Sequence, residues 1–165
     1  MLKILLFIFS FLVVFSLESF FSVLGGFSIL IVLILFLINK FDWKYILLLS
    51  IFFSLTLDVV NHYVLGTTLL IFGVAVLIFY LLGLFVPEQK GMLGIVPFLV
   101  SFLIFYILGY FIKEFLLLGS FPVFEVSNFV GILIKSIISS FLVLLFDVLY
   151  DRVRGNKIGS KFTFR

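Results

Sequence analysis

Asp58 is the residue of this chain whose type and setting most invite chemistry. It lies inside a long apolar stretch and is followed by Asn61, His62 and Tyr63. An ionisable group held among apolar helices is costly, so it usually faces a bundle interior or a cavity. Two readings of it are open. It is either an acid at the lipid headgroups, or a buried anchor that fixes a turn between two helices. As an anchor, its carboxylate would accept from Asn61 or from free amides at the start of the next helix. His62 is the only histidine, and one imidazole with one carboxylate makes an incomplete metal site. A proton relay would need more mid-membrane carboxylates than the chain supplies. Glu18 and Lys135 are the remaining polar candidates of that outer half, and either could snorkel or pair inside a bundle. Asp147 sits near the end of the last apolar segment, close to Asp151 and Arg152, and reads as interfacial.

No phosphate loop, zinc-protease helix motif, workable acid pair or serine triad is present. The expectation is a protein that is not an enzyme, with no catalytic residue, metal site or cofactor. Cysteine is absent, which removes disulfides and thiolate chemistry.

The elements that must position these residues follow from composition. Of 165 residues, 65% are hydrophobic and 12% charged, against about 45–50% and about 25% for soluble domains. A soluble chain of this length leaves about a third of its unfolded surface exposed, and much of it here would be Phe, Leu, Ile and Val. Lipid is the solvent that fits. Membrane strands alternate apolar and polar residues, whereas these runs are apolar on every face. The fold expected is all-α, an integral membrane bundle of six helices at about 2–18, 20–38, 44–61, 66–86, 92–112 and 127–150. A basic tail, 151–165, follows, and the whole forms one domain. Spans of about 20 residues are the norm, with a range of roughly 17–25. The first is short, and Lys3 and Glu18 can reach the interfaces. It reads as an uncleaved anchor, because no small-x-small pattern follows Ser16-Leu17-Glu18-Ser19. No internal repeat is evident.

With a cytoplasmic N-terminus, the inner side holds Lys3, Lys40, Lys44, Lys90, Arg152, Arg154, Lys157, Lys161 and Arg165. The outer side holds Lys113 and Lys135 alone. Because Lys and Arg set orientation, both termini are expected in the cytoplasm. Arg152, Arg154, Lys157, Lys161 and Arg165 then form a basic anchor for anionic lipids. Nothing in this spread of charge points to nucleic acid. Ser22 and Gly26, Ser50 and Ser54, and Ser136 and Ser140 each lie four apart. Such faces allow close helix approach, or their serines bond their own helix carbonyls.

The stretch Ser54-Leu55-Thr56-Leu57-Asp58-Val59-Val60-Asn61-His62-Tyr63-Val64-Leu65-Gly66-Thr67-Thr68-Leu69 resembles the central signature of the rod shape-determining protein MreD family. That signature is a small-residue helix ending in aspartate, a polar turn, then Leu-Gly. The chain departs from it at Ser54 and Leu55, where glycine is common, and at Thr67 and Thr68, where alanine is usual. The resemblance implies a non-enzymatic scaffold in the bacterial cytoplasmic membrane. It would bind an MreC-like single-span protein and other cell-wall elongation proteins, supporting lateral peptidoglycan synthesis and cell shape. Asp58, Asn61, Leu65 and Gly66 would then mark the turn that shapes the bundle and meets the partner. Pairing with a second copy of the chain is left open. The same architecture is similar to the substrate-binding subunits of energy-coupling-factor vitamin transporters, which supply the alternative function. Those subunits carry small residues on helix 1, where this chain has Leu5-Leu6-Phe7-Ile8-Phe9-Ser10-Phe11.

Overall fold

Runs of Leu, Ile, Val and Phe uninterrupted by proline make helix the only way to satisfy a backbone surrounded by apolar side chains. The computed structural model describes residues 12–21, 26–40, 43–60, 63–85, 92–120, 122–123 and 125–153. All regular structure among them is helical. The helices are α1 (Leu12–Phe21), α2 (Ile29–Lys40), α3 (Trp43–Val60), α4 (Thr67–Phe85), α5 (Val96–Leu118) and α6 (Val126–Val153). A short 3-10 turn, Met92–Ile95, leads into α5. Three of these helices, α4, α5 and α6, are long and apolar enough to cross a membrane.

α2 is the core of the molecule. Leu30, Ile31, Val32, Ile34 and Leu35 are all buried along its 12 residues, as befits a helix hydrophobic on every side. At 1.5 Å per residue it is about 18 Å long, shorter than the roughly 30 Å of bilayer hydrocarbon. It packs on α6 and α3, while α5 lies between α4 and α6. Phe79 of α4 meets Phe98 of α5 with ring centroids 4.8 Å apart. Phe36 of α2 meets Phe146 and Tyr150 of α6 at 6.0 and 5.9 Å. Outward, Leu48, Leu70, Leu84, Phe85 and Phe141 are largely exposed, a surface compatible with lipid as solvent and unfit for water.

Helix boundaries around the first and last turns differ from the sequence expectation. The break after the first helix, expected near residues 18–20, lies between Phe21 and Ile29. Glu18 therefore sits within α1. Gly26 takes φ +59° there, a left-handed conformation that glycine adopts without steric cost, and the Phe27 amide reaches Phe21 O at 3.4 Å. The fifth helix, expected to stop at 112, runs on to Leu118. Phe115 and Leu116 continue the apolar run past Lys113 and Glu114. The stop comes from Gly119, left-handed at φ 67°, whose amide bonds Phe115 O at 2.9 Å in a glycine C-cap. The expected loop 113–126 is correspondingly shorter.

Candidate functional site

Asp58 is fully buried at the last turn of α3. One carboxylate oxygen accepts the Gly66 amide at 2.7 Å and the other the Thr68 amide at 2.9 Å. These are among the amides that the start of α4 leaves without helical partners. A carboxylate there also complements the positive end of the helix dipole. Gly66 has φ +94° with open space where a Cβ would stand, so backbone conformation alone calls for glycine. The Tyr63 amide closes the turn on Asp58 O at 2.9 Å. The structure thus brings Asp58 and Gly66 together. Leu65 points outward, 67% exposed, and Asn61 and His62 lie outside the described residues.

Glu18 repeats this arrangement one hairpin earlier, a role the sequence did not reveal. Its oxygens accept Ser28 Oγ at 2.7 Å and the Leu30 amide at 2.9 Å, capping α2 from within α1. The two hairpins correspond at a spacing of forty residues. Leu17-Glu18 matches Leu57-Asp58, the left-handed Gly26 matches Gly66, and Ser28 matches Thr68. Little else in the two stretches agrees, so the echo becomes visible through the acid, glycine and hydroxyl positions taken together.

The opposite end of α2 is fixed by charge. Lys40 Nζ lies 2.5 Å from Asp147 and 3.3 Å from Asp151, and 5.7 Å from the Tyr150 ring centroid. Both acids are buried, so Asp147 faces a partner within the protein rather than open solvent. Between the two ends, the Ser28 amide donates to Tyr106 Oη at 3.3 Å. Tyr106 Oη stands 3.0 Å from Ser139 Oγ, which itself donates to Lys135 O at 2.8 Å. That chain ties α2, α5 and α6. Ser50, Ser136 and Ser140 donate to carbonyls of their own helices, and Ser22 lies outside the described residues.

Glu18, Gly26, Ser28, Leu57, Thr68, Tyr106, Tyr110, Lys113, Ile132 and Lys135 surround a cavity of about 240 Å³. The ends of α1, α3 and α5 and the starts of α2, α4 and α6 therefore converge there. Successive helices alternate in direction, and the Lys40 cluster marks the other end. Lys113 Nζ also sits over the Tyr63 ring at 5.2 Å. Of the basic tail, Arg152 is exposed at the end of α6, and Arg154, Lys157, Lys161 and Arg165 lie outside the described residues. Among the described residues no group of three acids or histidines is placed to hold a metal. Compared with family models, curated proteins and solved structures, the chain matches none.

Proposed function

We propose that this chain is a six-span protein of the bacterial cytoplasmic membrane, with both termini cytoplasmic, that acts as a non-enzymatic scaffold of the cell-wall elongation complex. In this role it binds an MreC-like single-span protein and, with other elongation proteins, supports lateral peptidoglycan synthesis and rod shape. The observation that carries the proposal is the spending of the buried acids. Glu18, Asp58, Asp147 and Asp151 are each engaged in capping or pairing helices, which is the work of a frame. The Asp58–Gly66 turn is also where the sequence resembles the MreD signature. An uncharged groove of about 540 Å³, lined by residues such as Leu47, Ile51, Phe72, Gly73 and Leu77, offers the surface chemistry that an apolar partner helix requires. A transporter subunit of the energy-coupling-factor type would present small residues on its first helix. Here the exposed face of α1 carries Ser16 and Ser19 but is dominated by Leu12, Val13, Leu17 and Phe20, which favours the scaffold.

Removal of the gene from a rod-shaped source cell should round the cells, and the wild-type copy should restore rods. A copy carrying Asp58→Ala should fail to do so. Cells that stay rod-shaped without the protein would end this proposal.

A further inference from the structure

The cavity at the convergence of the helices holds more positive charge than the fold uses. Lys113 and Lys135 both line it, and they are the two basic residues that the charge count places on the outer side. Neither has a carboxylate within ion-pair distance among the described residues, where the ion pairs formed are those of Lys40. Glu18, the acid of the cavity wall, already has both oxygens bonded to Ser28 and the Leu30 amide. Two ammonium groups at one small cavity repel each other, and Lys135, half-buried where Lys113 is exposed, also costs desolvation. An anion that sits between them relieves both penalties.

Further groups suit the same ligand. The Tyr110 hydroxyl, held by Asn128 Nδ2 at 2.9 Å, lines the wall beside Lys113. The Lys135 ammonium lies so close to the α1–α2 turn that a Cβ on Gly26 would stand 2.7 Å from it. Glycine at that turn therefore leaves the room that the ammonium occupies. Lys113 is exposed, which puts it at the mouth. The volume of about 240 Å³ lies below the roughly 300–1,000 Å³ of pockets for drug-sized molecules. It suits one compact charged group. Lysines serve as point-charge ligands of phosphate.

We propose that this cavity binds a phosphate group between Lys113 and Lys135, either as a free oxyanion or as the headgroup of an anionic lipid. This site adjoins the Asp58 turn through Leu57 and Thr68, but neither Asp58 nor Gly66 lines it.

The test uses the full-length protein purified in uncharged detergent. Its thermal unfolding midpoint is measured with inorganic phosphate against chloride at matched ionic strength, and with phosphatidylglycerol against phosphatidylcholine in mixed micelles. A rise with phosphate identifies a free oxyanion, and a rise with phosphatidylglycerol alone identifies the lipid headgroup. In either case Lys113→Gln and Lys135→Gln should weaken the response about tenfold or more in apparent affinity, the loss expected of one charge-assisted contact. Lys44→Gln, at the start of α3 and so at the other end of the molecule, should respond as the wild type does. Should Lys135→Gln fail to fold, the exposed Lys113→Gln decides alone. No rise with either probe, or an undiminished rise in Lys113→Gln, overturns the proposal.

Discussion

Asp58→Ala should lower the unfolding free energy of the protein by about 3 kcal/mol, the scale of losing two hydrogen bonds to a charged acceptor at a helix start. For a chain of this size that corresponds to a fall of roughly 6–12 °C in the thermal midpoint. Asp58 is fully buried and its donors are the amides of Gly66 and Thr68. Backbone amides cannot turn round to accept, so alanine strands both of them. Asp58→Asn should recover only part of the loss, because its NH₂ group faces one of those two donors. Glu18 provides the comparison. One of its donors is the Ser28 hydroxyl, which can rotate and accept from an amide NH₂. Glu18→Gln should therefore cost about 1 kcal/mol, less than Asp58→Asn. Thermal unfolding of the three purified variants and the wild type in one detergent checks the order. Equal tolerance of Asn at 58 and Gln at 18 would contradict the capping geometry.

Lys40→Met should destabilise the protein by about 3–5 kcal/mol, the cost of removing one partner from a buried ion pair. Asp147 and Asp151 are 7% and 5% exposed, and both lie within ion-pair distance of the same ammonium. Without it, two carboxylates one helical turn apart on α6 face each other in an apolar setting. Adding Asp147→Asn and Asp151→Asn to Lys40→Met should restore most of the lost stability, since no uncompensated charge then remains. Thermal midpoints of the single and triple variants separate a charge effect from lost packing. A triple variant as unstable as Lys40→Met would assign the loss to the lysine stem and its contact with Tyr150.

What the sequence made legible depended on how local each signal was. The bounds of α3 and α4 were readable within a residue or two, because Asp42, Asp58, Gly66 and Pro87 punctuate the apolar runs. Asp58 stood out for the same reason, as a lone acid eight residues before the glycine it bonds. Glu18 did not. The amide that donates to it is twelve residues away, across a Gly25-Gly26 pair, and an acid there looks the same whether it caps a helix or reaches for the interface. The same acid marks an apparent end for α1 in the sequence, although it lies within the helix. Lys113 misled similarly in α5, where apolar residues beyond it carry the helix on to Gly119. The Lys40 partners are 111 residues away in the case of Asp151. No local pattern encodes such a pair, and the lysine was legible only as a topology signal. The convergence of Lys113 and Lys135 on one cavity likewise arises from helix direction and packing, not from spacing.

In the proposed scaffold the buried charges of this chain build a rigid frame, and its function is the capture of a membrane partner. The most direct test is co-purification of the tagged protein, in mild detergent, with the candidate MreC-like protein of the same cell. A stoichiometric complex that is lost with Asp58→Ala and retained with the exposed-site variant Arg152→Gln is the predicted result. No complex with the well-folded wild-type protein, together with thermal stabilisation by a vitamin-sized ligand, would contradict the scaffold and place the chain among transporter subunits.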